Sequence, residues 1–408
     1  MIPGVVGRVV TPQSRRRRRN KKNDSYAQEI GVFRVVLKRR DRLVIAGVVA
    51  LTAGIAGYFL LGRDVSVPLG ILRVDPAPAR RPVELPPLWE HLGSLSVTQQ
   101  LTGPGSPNQT FERWNVGGTD LGFTFFHKGD LYMVFGDTYG RERSDWRSNT
   151  MAKLADIDSP ASGLQIEHFI SDPSGRATEL LSSQKVYWVE QTVIPTNGIS
   201  VDPRMILHYM SVRRWVAPGQ WRINHAGLAY SDDDGRTWIK SGPMWGERSN
   251  FAQVAFVRDE SQPEFVYLFG IPAGRFGQVR LARVPADSML RRAAFEYWDG
   301  AGWTGAEADA ATVVPSPVGE LSVAWIGHLE RWVMMYLDER HNAVVVRTSE
   351  TLTGPWSDPS LVASARDHPQ LYAPFIIPFD SNEPEIFFTM SRWDSYNVYL
   401  MHVRLTET

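Results

Sequence analysis

The chain has 408 residues, no cysteine and a formal net charge of +0. Without cysteine there is no disulfide framework and no thiol nucleophile, so the fold must hold itself together by its own core. The neutral total hides an asymmetry: residues 1–42 carry 13 Lys or Arg against Asp24, Glu29 and Asp41, and the remainder is correspondingly acidic.

The basic tail ends at an apolar run. Leu43 to Leu61 is 19 residues without a charge, which at about 1.5 Å per residue nearly spans a hydrocarbon core of about 30 Å. Arg34, Lys38, Arg39, Arg40 and Arg42 precede it, and Arg63 stands almost alone after it. The positive-inside rule then predicts a single membrane helix with the N-terminus inside and the C-terminus outside the cytoplasm. A cleaved signal peptide is the competing explanation, but its apolar region runs to only about 7–15 residues. The run Arg15 to Arg19, with Lys21 and Lys22, marks topology and meets anionic head groups rather than nucleic acid.

Residues 62–91 carry Pro68, Pro76, Pro78, Pro82, Pro86 and Pro87, the composition of a semi-rigid tether. The folded domain is expected over 92–408. There, short apolar strands alternate with turn residues. Leu121 to Phe126 and Leu131 to Phe135 flank Lys128-Gly129-Asp130 and read as a hairpin. Groups of three follow at 251–284 and 321–348, and a pair at 385–405. No long amphipathic helix is expected, and Ala286 to Glu296 is the best short helical candidate.

Ser231-Asp232-Asp233-Asp234-Gly235-Arg236-Thr237-Trp238 fits S-x-D-x-G-x-x-W. This resembles the Asp box of sialidase-like propellers, a structural turn rather than a catalytic one. Ser349 to Trp356 looks like a degenerate relative. Strand groups repeated over about 300 residues predict an all-β, five-bladed β-propeller, with a β-sandwich as the alternative.

No GxGxxG after a strand, P-loop, GxSxG or HExxH occurs. What remains is carboxylates beside glycines and aromatic residues, as in glycosidases. Asp120 opens one apolar strand, Asp137 ends the next, and Glu320 opens another. A charge beside a buried strand is costly unless it is paired or functional. The simpler role for each aspartate is to hydrogen-bond a turn.

These segments resemble domain of unknown function 4185, an actinobacterial family grouped with glycoside hydrolase family 183. The resemblance is carried by Gly117-Gly118-Thr119-Asp120-Leu121-Gly122, Phe135-Gly136-Asp137-Thr138, Trp146-Arg147-Ser148-Asn149, Pro272-Ala273-Gly274-Arg275-Phe276-Gly277 and Gly319-Glu320-Leu321-Ser322, in order along much of 97–403. It implies a propeller fold and endo-D-arabinanase activity on cell-wall arabinan. It also implies that Asp120 and Asp137 are the catalytic acids.

A furanose polymer needs hydrogen-bonding groups and flat faces. Arg147 and Asn149 follow Asp137 in a tryptophan-containing loop, and Arg213 and Arg275 sit in glycine- or aromatic-rich turns. Trp146, Trp215, Tyr372, Trp393 and Tyr396 offer rings for sugar stacking. The expected function is a membrane-anchored hydrolase of D-arabinofuranosyl linkages using Asp120 and Asp137, with Glu320 as a further acid or a tuner of its neighbours. No cofactor is called for, and a structural cation on the propeller axis stays open. The rival is a non-catalytic glycan-binding propeller tethered at the cell envelope, which would keep the aromatic and arginine residues without needing the acids.

Overall fold

The computed structural model describes residues 84–406, apart from 142–143, 157–158, 202 and 380–382. The basic tail, the apolar run at 43–61 and the tether up to residue 83 lie outside the described residues. Among the described residues no helix is long and apolar enough to cross a membrane.

Strand β1 (Leu92–Gln100) leads to a single turn of helix, α1 (Thr110–Trp114). Blade 1 follows, with β2 (Gly118–His127), β3 (Asp130–Tyr139), β4 (Thr150–Leu154) and β5 (Ile166–Phe169). Blade 2 has β6 (Thr192–Val201), β7 (Arg204–Ala217), β8 (Gln220–Ser231) and β9 (Ile239–Gly246). Blade 3 is larger, with β10 (Gln253–Val257), β11 (Phe265–Ile271), β12 (Gly277–Pro285), β13 (Glu296–Trp298), β14 (Trp303–Thr304) and β15 (Thr312–Val318). Blade 4 has β16 (Leu321–Ile326), β17 (Arg331–Asp338), β18 (Ala343–Ser349) and β19 (Ser360–Ser364). Blade 5 has β20 (Leu371–Ile376), β21 (Glu385–Arg392) and β22 (Asn397–Leu405), and β1 returns as its outermost strand.

The chain is therefore an all-β, five-bladed propeller. The first strands β2, β6, β10, β16 and β20 neighbour one another in a closed ring. Pairing of β1 with β22 joins the two ends of the domain in one sheet.

The apolar strand runs follow from this stacking, because each sheet is covered on both faces. In β3, Tyr132 and Val134 join one interblade core, while Leu131, Met133 and Phe135 join the core shared with Val398 and Leu400 of blade 5. In β17, Val333, Met335 and Leu337 face one way and Trp332, Met334 and Tyr336 the other.

The Asp box forms the β8–β9 turn. Ser231 Oγ accepts from Gly235 N at 2.9 Å, Asp233 Oδ1 accepts from Thr237 N at 2.8 Å, and Trp238 Nε1 donates to Gly235 O at 2.9 Å. Asp234 accepts from His127 Nε2 at 3.0 Å and Lys128 Nζ at 2.6 Å, which ties the turn to the β2–β3 hairpin.

Ala286 to Glu296 is not an α-helix: residues Ala286–Ser288 and Arg292–Ala294 form 3-10 turns. The reason is the pairing of Ala282 with Tyr297 and Arg283 with Glu296. A connection between adjacent strands about 5 Å apart has no length to run an 11-residue helix, about 16 Å long, outward and return.

Candidate active site

The starts of the five inner strands converge on one mouth. Asp120 stands third in β2, Ile194 third in β6, Gln253 first in β10 and Tyr372 second in β20, while Glu320 immediately precedes β16. Successive antiparallel strands bring the ends of β3 and β7 to the same mouth. The result is a cavity of about 640 Å³ lined from every blade, including Asp120, Asp137, Glu320, Arg275, Tyr372, Trp393 and Tyr396.

Asp120 is set by the irregular pairing of β2 and β3. Thr119 faces Thr138 and Leu121 faces Phe135, so Asp120 lies opposite Gly136 and Asp137 across a bulge. Leu121 takes φ of +68°, a left-handed conformation that a branched side chain adopts at a cost. Its N–H is held by Ser391 Oγ of blade 5 at 3.0 Å. Tyr372 Oη donates to Asp120 Oδ2 at 3.1 Å, while Asp120 Oδ1 is buried with no hydrogen-bond partner. Burial, with the nearby negative charges of Asp137 and Glu320, pushes the Asp120 carboxyl up to about 8. Burial also raises the phenols of Tyr372 and Tyr396 well above their ordinary value, so both stay protonated donors beside it.

Asp137 is held on one oxygen. Thr192 Oγ1 of blade 2 donates to its Oδ1 at 2.6 Å, and Trp146 Nε1 donates to the same atom at 2.8 Å. Burial raises Asp137 to about 6, and the two hydrogen bonds and the Lys185 cation hold it below Asp120. Both carboxyls are thus raised above the usual carboxylate range, Asp120 the further of the two.

Glu320 is gripped by Arg275. Nε lies 3.0 Å from each carboxylate oxygen, and Nη2 lies 2.9 Å from Oε1. The same guanidinium approaches Glu339 Oε2 at 3.6 Å. Both partners of the fork are buried.

Several residues expected to bind substrate have other work. Arg147 is buried and donates to the backbone carbonyls of Ala177 at 2.9 Å and Asn115 at 2.7 Å. Asn149 is wholly buried, donating to Leu181 O and Val193 O and accepting from the N–H groups of Leu180 and Leu181. Arg213 pairs with Asn224 at 2.9 Å and Glu247 at 3.5 Å. None of these three lines the cavity, and their donors staple loops. Trp146 also lies outside the lining; its indole positions Asp137 while its ring stacks on Tyr139, with Lys185 Nζ 4.8 Å from the ring. Arg275, Tyr372, Trp393 and Tyr396 do line the cavity.

Thr192, Tyr139, Trp221, Gln253 and Glu339 escaped the sequence reading. Thr192 carries one signal, a polar residue opening an apolar strand as Asp120 does. Glu339 carries none, because its partner Arg275 lies far away in the chain. Among the described residues no group of three or more metal-ligating side chains occurs.

A five-bladed propeller with a carboxyl pair at its axial mouth is thus the class that fold and site define. The family model "Domain of unknown function (DUF4185)" matches residues 105–402, and the chain belongs to that family. It is 30% identical over 318 residues to the Notoamide biosynthesis cluster protein J' of Aspergillus versicolor, covering 71% of this chain and 85% of that protein. Notoamide biosynthesis cluster protein J of Aspergillus sp. (strain MF297-2) is 29% identical over 320 residues, covering 71% and 84%. A solved protein of Bacteroides ovatus ATCC 8483 shares the fold at a TM-score of 0.53 and 16% identity, covering 74% of this chain and 93% of that one.

Proposed function

We propose that this chain is a membrane-anchored glycoside hydrolase that cuts internal D-arabinofuranosyl linkages of cell-wall arabinan. The observation that supports the reaction class is the blade 1 pair: Asp120 and Asp137 line one cavity, Asp120 taking a hydrogen bond from Tyr372 and Asp137 held on one oxygen by Thr192 and Trp146, with burial raising both carboxyls. Asp120 is protonated at neutral pH and gives its proton to the departing glycosidic oxygen. Asp137 is ionised, with only Oδ1 spent on protein donors, and acts as base on water or as nucleophile. Tyr372 and Tyr396 support Asp120, and Glu320 tunes it by charge while anchoring Arg275.

The substrate assignment rests on the family resemblance and on the aromatic lining. The anchoring rests on the apolar run at 43–61 and the basic residues before it. Incubation of the full-length protein with actinobacterial cell-wall arabinogalactan, with new reducing ends as the readout, tests the activity. No new ends from wild type would sink the hydrolase. Asp120→Asn and Asp137→Asn should each lose at least about 10²-fold while remaining folded. A reporter active only outside the cytoplasm, fused after Thr408, should be active; signal from a cytoplasm-only reporter would overturn the topology.

A further inference from the structure

Two aromatic walls flank the carboxyl pair. From blade 5 comes Trp393, 46% exposed, stacked on buried Tyr372 with centroids 4.5 Å apart and planes at 17°. From blade 2 comes Trp215, 38% exposed, in an edge contact with buried Trp221 at 5.4 Å and 74°. All four rings line the same cavity. Blade 1 stands between these blades, since β2 neighbours both β20 and β6. Asp120 is tied to blade 5 through Tyr372, and Asp137 to blade 2 through Thr192. Arg275 bridges the walls, with Cζ 6.0 Å from the Trp221 ring and 5.0 Å and 5.6 Å from those of Tyr372 and Trp393.

The blade 2 wall is a built feature. Trp215 and Trp221 face each other across the β7–β8 hairpin, and Val216, Ala217, Pro218 and Gly219 at its tip also line the cavity. The tip is fastened to the opposite loop, because Arg275 N donates to Gly219 O at 2.9 Å. Gly219 takes φ of +68°, and a Cβ there would stand 3.1 Å from Phe276, so the docked tip favours glycine. Trp215, 38% exposed and part of the cavity lining, offers the apolar ring on which a sugar face stacks, with buried Trp221 holding it from behind.

The geometry points to a second sugar subsite on the β7–β8 hairpin, with Trp215 as stacking face, so that a glycan chain lies across the carboxyl pair with sugar units on both walls. Cleavage of that chain rests on the hydrolase proposed above, whereas its binding does not. Seating on both sides of the pair favours cuts within chains over cuts at their ends.

The test titrates the full-length protein with D-arabinan oligosaccharides by calorimetry and counts new reducing ends in parallel. Trp215→Ala should weaken binding of long fragments about ten-fold or more while a disaccharide binds within about two-fold of wild type, and Trp215→Phe should recover most of the loss. Unchanged affinity in Trp215→Ala overturns the subsite and leaves the hydrolase standing. Equal losses for long and short fragments indicate a general distortion and also overturn it. A wild type that binds long fragments but releases no reducing ends overturns the hydrolase alone. A wild type that binds neither overturns both.

Discussion

A Cβ built on Gly136 would stand 2.4 Å from Asp120 Oδ1, so the Asp120 carboxyl occupies the space that any other residue at position 136 would fill. The bulge that sets Asp120 opposite Gly136 and Asp137 creates this contact. Gly136→Ala should displace the carboxyl from Tyr372 without unfolding the sheet, because the flanking pairs Thr119–Thr138 and Leu121–Phe135 remain. The expected result is a loss of kcat/KM of at least about ten-fold with Tm nearly unchanged. A folded Gly136→Ala protein with wild-type turnover would show that the position of Asp120 does not matter for cutting.

Asp120 also makes stability depend on pH. Its folded-state value is raised from 3.8 to about 8, so the native protein keeps a proton that the unfolded chain releases. Stability from this group is complete below about pH 4 and is lost as pH rises towards and through about 8. Asp137, raised to about 6, adds in the same direction. Asp120→Asn removes the larger part of this dependence. The variant should melt above wild type at pH 8 and close to it at pH 4, a case of stability traded for function. Wild-type melting that is flat from pH 5 to 8 would contradict the raised values.

The propeller was legible in the sequence for physical reasons, whereas the choice of Asp120 and Asp137 as a pair came from the family resemblance. Hairpin turns such as Lys128-Gly129 punctuate strands short enough to count, and the Asp box closes on its own residues. Asp120 and Asp137 are polar groups at the edges of apolar strands, which local sequence displays. The roles of Arg147 and Asn149 were not legible, because their partners are backbone carbonyls of segments beyond residue 114 on one side and as far as Val193 on the other. No side-chain pattern reports a carbonyl. Thr192 and Tyr372 become partners of the acids only when the ring closes and brings blades 2 and 5 beside blade 1. The bulge at Asp120 was hidden for the same reason, since register belongs to the pair of strands and not to either one.

Arg275 should be intolerant of replacement. It is buried, forks Glu320 and faces Glu339. Removing one partner of a buried ion pair costs about 3–5 kcal/mol, because the other charge stays uncompensated. Arg275→Met should lose about that much in denaturant unfolding. Arg275→Lys keeps the charge but cannot reproduce the two-oxygen grip, so it should fall between wild type and Arg275→Met. A double variant, Arg275→Met with Glu320→Gln, should recover part of the loss. If Arg275→Met unfolds at the wild-type denaturant midpoint, the fork contributes nothing to the fold.

The pH profile bears most directly on the division of labour at the carboxyl pair. If Asp120 must be protonated and Asp137 ionised, kcat/KM for arabinan should form a bell with limbs near about 6 and about 8. The limbs are macroscopic values of the interacting pair. Glu320 separates this assignment from its reverse, because its negative charge raises Asp120. Glu320→Gln removes that charge, so ionised Asp120 becomes less unfavourable and the basic limb should move to lower pH. The acidic limb, set at Asp137 by burial and by Thr192 and Trp146, should hardly move. Thr192→Val instead deletes a donor that favours ionised Asp137, and should move the acidic limb to higher pH. If Glu320→Gln shifts the acidic limb and leaves the basic one fixed, the roles of the two aspartates are exchanged. If neither limb responds to either variant, the titrating groups lie elsewhere and the blade 1 pair is not the catalytic pair.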